Sequence, residues 1–163
     1  MSWNDFRRRQ QAIQTVLDDA SRNPSEALTQ VPAPFLDATD ALRALQYKWT
    51  QQLTGRIGVA LAETDDAPHA DRVQAVTAAW RRTAEANPVL RDLLDRHESD
   101  PVLRSDMARE HRLLAVAAGL AEHTEPADDA ARVGRAFRQL VRITPEPSPQ
   151  CIGGRLRKLI PSF

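Results

Sequence analysis

The sequence predicts an all-α protein: a single bundle-like body of about six helices, followed by an extended C-terminal tail. Three observations carry that prediction. Prolines at positions 24, 32, 34, 68, 88, 101, 126 and 145 mark segment boundaries. The stretches between them repeat apolar residues at intervals of three and four. No stretch alternates β-branched and polar residues with the period of two that a strand requires.

The spacing predicts a first helix over Trp3 to Arg22, with Ser2 and Asp5 as a capping box and Phe6, Ile13, Val16, Leu17 and Ala20 on its inner face. Asn23-Pro24 ends it, because the residue before a proline is steered out of the helical region. A connector over 23–36 holds Pro24, Pro32 and Pro34. The second helix is predicted over Asp37 to Glu63, with Asp37 and Asp40 at its positive end. Its stripe of Leu42, Leu45, Trp49, Leu53, Ile57 and Leu61 makes it a spine roughly 40 Å long at 1.5 Å per residue. Gly55 and Gly58 lie inside it, where the expectation is close approach of a neighbouring helix and the alternative a kink or a ligand-facing gap.

A third helix, over 68–86, carries Val73, Val76, Trp80 and Ala84. At Asn87-Pro88 the asparagine is expected to cap a fourth helix, with proline at its first position. Asp100-Pro101 repeats the device. The fourth helix is predicted to end near His97 and the fifth, from Pro101, near Glu122, with Leu103, Met107, Leu114, Ala118 and Ala121 inward. A sixth begins near Thr124-Glu125-Pro126 and runs to Ile143, presenting Val133, Phe137, Leu140 and Val141. Residues 1–143 thus form one helical domain, and 144–163 a Pro/Gly-rich tail that ends in a basic-apolar segment.

Composition narrows the function classes. The chain has 163 residues, one domain's worth, with 22 basic and 22 acidic side chains. With no net charge there is no global field toward nucleic acid, and the absence of interleaved stacking aromatics disfavours nucleic-acid binding further. Arginine supplies all of the basic residues except Lys48 and Lys158, a bias that points to GC-rich coding rather than to a site. Cys151 stands alone, so no intramolecular disulfide or thiolate cluster is expected, and a single thiol suits a reducing cytoplasm. No apolar run approaches the roughly 18 residues of a membrane span, so the expected location is cytoplasmic.

Motifs for chemistry are missing. There is no G-x-S-x-G, no G-x-G-x-x-G and no Gly-Lys pair for a phosphate loop. His69, His97, His111 and His123 are never three or four apart and none follows a glutamate by three, so no metal and no cofactor is expected. The densest polar cluster is Asp106, Arg109, Glu110, His111 and Arg112. Asp106 and Glu110 share a helical face and could act as an acid/base pair, but a solvated face of Asp–Arg and Glu–Arg pairs is the expectation.

Trp49, Leu53 and Trp80 lie on apolar faces, and His111 sits one position from the fifth helix's stripe. Core packing is the expectation for the tryptophans and a boundary position for His111; the alternative is that these four line an apolar gap between helices, where bundles place ligands. In the tail, Arg155, Leu156, Arg157, Lys158, Leu159, Ile160 and Phe163 could dock on the body, bind a protein partner, or touch an anionic membrane surface weakly.

From Phe35 to Glu122 the order of elements resembles the ligand-binding (effector) domain of the tetracycline-repressor (TetR) family. The resemblance is carried by Phe35 ahead of Asp40-Ala41-Leu42 at the start of a long helix, a medium helix, a short helix opened by Asn87-Pro88-Val89-Leu90, and another medium helix. Thr39 stands where the family has a lysine, and the three prolines of 23–36 leave no room for a helix-turn-helix. The resemblance implies a bacterial regulator whose helices enclose a small-molecule cavity and whose later helices form a dimer interface. The functional expectation is therefore a non-enzymatic regulatory or small-molecule-sensing module without its own DNA reader, with a homodimer open. The alternative is an adaptor working through its tail.

Overall fold

The computed structural model describes residues 3–65 and 71–145, and every regular element among them is helical. The helices are α1 (Trp3–Arg22), α2 (Ala38–Asp65), α3 (Arg72–Ala86), α4 (Pro88–Arg96), α5 (Arg104–Ala117, entered through a 3-10 turn at Pro101–Leu103) and α6 (Ala127–Ile143). The proposed Ser2 cap and the basic-apolar tail lie outside the described residues.

Helix α2 is the spine. Leu42, Leu45, Trp49, Leu53 and Ile57 are all buried, and burying each large member of that stripe contributes about 1.5–3 kcal/mol. Helix α2 starts where the Asp37 side chain accepts the Asp40 N–H at 2.9 Å, leaving one orphan amide fewer. Asp40 in turn holds Arg9 at 2.7 Å, tying α1 to the start of α2. Helix α3 begins at Arg72, later than the spacing suggested, because Asp71 caps it by accepting the N–H groups of Val73 (2.8 Å) and Gln74 (3.3 Å).

Several expectations are corrected. Asn87 does not cap α4 with its side chain; its Nδ2 donates to the Thr83 carbonyl at 3.0 Å and finishes α3 instead. Helix α5 ends at Ala117, not near Glu122, because Gly119 adopts φ +72°. The Leu120 N–H bonds the Ala115 carbonyl (2.9 Å) and the Gly119 N–H that of Val116 (3.0 Å), a Schellman closure that a left-handed glycine permits. Phe6 is exposed rather than inward: nothing in residues 3–11 is buried, and Phe6 stacks on Trp3 with centroids 5.6 Å apart.

Helix α6 is turned relative to its apolar stripe. Val133 and Leu140 face solvent, while Ala130, Gly134, Phe137, Arg138 and Val141 face inward. Gly134 sets that rotation. A Cβ there would overlap the His111 backbone, so α5 and α6 cross at backbone contact. Gly55 and Gly58 do the reverse of what was expected, since a Cβ on either meets nothing within 4 Å.

Helix α3 also finishes two other helices. The Arg72 Nε donates to the Ala117 carbonyl at the end of α5 (3.2 Å), and Arg81 donates to the carbonyls of Val141 (3.2 Å) and Thr144 at the end of α6. Guanidinium groups at helix C-termini meet both the orphan carbonyls and the negative end of the dipole.

Candidate functional site

The four candidates for lining an inter-helix gap are core residues, as expected for the two tryptophans. Trp49 and Leu53 have no exposed surface, and Trp80 is 6% exposed. The two indoles meet edge to face, with centroids 5.9 Å apart and planes at 74°. The Arg91 guanidinium covers Trp49 at 4.6 Å from its ring. The aromatic volume that could have framed a gap is used up by the rings packing on each other. His111 is buried too, but in a different place, against α6.

That place is a charged network joining α2, α4, α5 and α6. Arg138 is its hub. It pairs with Asp95 (2.8 Å) and Glu98 (2.7 Å), and its Nη1 lies 3.5 Å from His111 Nε2. Arg142 adds bonds to the same two carboxylates at 3.3 and 3.5 Å. Arg91 reaches Asp95 at 2.9 Å and stands 4.0 Å from Glu110. Gln46, on the spine, donates to Glu110 at 2.8 Å.

Three guanidinium groups thus face three carboxylates. Burial, then the adjacent Arg138, lowers the His111 pKa below its ordinary value, so a neutral imidazole keeps the set balanced. Burial alone would raise Glu98, but Arg138, followed by Arg142 and Arg91, outweighs it and holds that carboxyl below its usual range. Burial lowers Arg91 from its very high ordinary value, opposed by Glu110 and Asp95.

The expectation of a solvated face at Asp106–Arg112 is therefore wrong for its centre. Glu110 has no exposed surface and His111 is 3% exposed, whereas Asp106 keeps to the outside and pairs with Arg109 at 3.3 Å. The trio is split between core and surface, so it forms no acid/base cleft. Among the described residues no group of His, Cys, Asp or Glu could hold a metal ion, and no helix is long and apolar enough to cross a membrane. The tail candidates Arg155 to Ile160 and Phe163 lie outside the described residues.

The feature missed from sequence is a groove of about 460 Å³ between α2 and the C-terminal half of α5. Its volume falls within the roughly 300–1,000 Å³ of small-molecule sites. Ile57, Gly58 and Leu61 of α2 face Leu113 and Val116 of α5 across an apolar floor. Positions 54, 57, 58 and 61 on one helix and 109, 112, 113 and 116 on the other share the spacing 0, 3, 4, 7, so each set forms a continuous face. Because Gly58 contributes no side chain and a Cβ there would meet nothing within 4 Å outside its own helix backbone, the space above it stays open.

The rim is cationic. Arg72, Arg109, Arg112 and His123 line it, and its described lining holds no carboxylate. Arg112 donates Nη2 to the His123 carbonyl at 3.0 Å, and its buried Nε has no hydrogen-bond partner. Arg72 gives Nε to Ala117, as above. The signal in the sequence was the pair of matched faces, but arginines on a helix read as solvated until their neighbours are known.

No protein-family model matches this chain, and no curated protein or solved structure is significantly similar to it.

Proposed function

We propose that this protein is a non-enzymatic helical module that binds a small molecule in the groove between α2 and α5 and serves a regulatory or sensing role. The observation that carries the reading is the groove itself: an apolar floor kept open at Gly58 and rimmed by Arg72 and Arg112, with which no described carboxylate pairs, and by Arg109, which holds Asp106. The order of helices resembling TetR-family effector domains supports the same reading. It moves the ligand site away from Trp49, Leu53, Trp80 and His111, which fill the core.

Two measurements test it. Native mass spectrometry of freshly purified protein reports a retained small molecule and the oligomeric state together. Fluorescence of an anilinonaphthalene sulfonate probe then reports the groove, with Gly58→Leu as the variant that fills it. Probe binding by the wild type that the variant loses supports the reading. No adduct and no probe binding, or binding unchanged by the variant, would end it.

A further inference from the structure

We infer that the α2–α5 groove is a site for a medium-chain aliphatic carboxylate, with the chain along the apolar floor and the carboxylate held by Arg72 and Arg112. This inference deepens the reading above and rests on it. Elsewhere in the molecule several arginines are matched by carboxylates. Arg9 is paired with Asp40, Arg91 and Arg138 with Asp95, Arg96 with Asp92, and Arg132 with Asp129. Arg72 and Arg112, like Arg81, pair with no carboxylate of the described residues, but Arg72 and Arg112 line one groove together. Each is tethered instead by one bond to a backbone carbonyl, and both tethers end beside the same groove.

The tethers leave donors over. A guanidinium has five N–H donors in a fixed planar fork. Arg72 spends Nε on Ala117, and Arg112 spends Nη2 on His123. The remaining donors can meet a carboxylate, whose two oxygens match the fork geometry. Arg109 stands on the same rim but already holds Asp106, and is not assigned to the ligand.

The floor sets the rest of the chemistry. Ile57, Leu61, Leu113 and Val116 offer aliphatic surface with no aromatic face, which suits a flexible alkyl chain better than a ring. Gly58 leaves room at the middle of that floor. An alkyl cation would face the arginines with the wrong sign. A neutral alcohol could use the floor but would leave the rim's charge unanswered.

The test is titration of the purified chain with decanoate, decanol and decyltrimethylammonium, followed by calorimetry and by methyl NMR of Leu61, Leu113 and Val116. Decanoate is expected to bind about tenfold or more tightly than decanol, with shifts centred on those methyls, and the cation not at all. Arg72→Gln with Arg112→Gln keeps one donor at each position for the carbonyl tethers and removes the charge. That double variant is expected to bind decanoate no better than decanol while still binding decanol. Gly58→Leu is expected to lose both ligands while its circular dichroism and melting stay those of a folded helical protein.

Equal affinity for decanoate and decanol in the wild type, or a preference that survives the double substitution, would overturn the carboxylate assignment and leave the groove reading standing. Failure of all three ligands to bind, or binding that Gly58→Leu does not change, would overturn both.

Discussion

Gly134 and Gly58 show that one residue type can have opposite meanings on two helices. At Gly134 a methyl group would overlap the His111 carbonyl, which is backbone and cannot swing aside. Gly134→Ala is expected to cost about 1–3 kcal/mol through overpacking, read as a lowered urea midpoint. At Gly58 a methyl meets open space, and alanine is the better helix former. Gly58→Ala is expected to raise stability by about 1 kcal/mol in the same assay. If the two substitutions shift the midpoint alike, the close crossing of α5 over α6 is not what Gly134 is for. Neither sign was legible in the sequence, because whether a glycine is crowded depends on a chain segment far from it.

The helices are tied to one another by arginine more than their apolar stripes suggest. Arg138 carries the heaviest share, since its side chain is 3% exposed and bridges α6 to Asp95 and Glu98. Removing it strands Asp95 and Glu98 with only part of their counter-charge. Arg138→Leu is expected to destabilise by about 1–3 kcal/mol, the scale of leaving partly buried polar groups short of a partner. Arg142 touches the same two carboxylates with its side chain 40% exposed, and solvent screens it. Arg142→Ala is expected to cost under about 1 kcal/mol. Near-equal losses in chemical denaturation would mean the network is held at its surface rather than at its buried hub. The stripe on α6 misled for the same reason. Apolar Val133 and Leu140 suggested one inner face, while Gly134 and Arg138 make another because backbone contact and ion pairing outweigh two exposed aliphatic groups.

Across the whole molecule, acid should loosen the fold in a particular order. The ordinary pKa of histidine is 6.5, and His111 titrates below it when folded because burial and Arg138 oppose its charging. As pH falls through 6.5 the unfolded chain takes up a proton that the folded chain refuses, so stability declines. Glu98, held below its ordinary 4.5 by Arg138 against the effect of burial, contributes stability above that value that is lost as pH falls through it. Both slopes have the same sign. Urea midpoints are expected to fall from about pH 7 toward pH 4, and His111→Gln is expected to remove the limb just below pH 6.5 while leaving the lower one. A midpoint that is flat or rises across the upper window would contradict the placement of His111.

The sequence by itself determined the all-α class, the six helices and their order, and the spine from Leu42 to Ile57, because local apolar periodicity and proline punctuation act within one helix. Helix starts were legible at Asp37 and Asp100, whose side chains close their own turns. The start of α3 at Asp71, later than expected, was misread, as was the end of α5, where a single left-handed glycine at 119 closes the helix. Only the tertiary structure decided that Glu110 and His111 point inward. They occupy positions between Met107 and Leu114 that a helix buries whatever their polarity, and partners on α2, α4 and α6 are what make that burial affordable. It also decided that Trp49 and Trp80 fill space rather than frame it, and that Arg72 and Arg112, 40 residues apart in sequence, meet at one groove. Periodicity records which face of a helix is apolar. What that face meets is set by long-range packing, and no single segment encodes it.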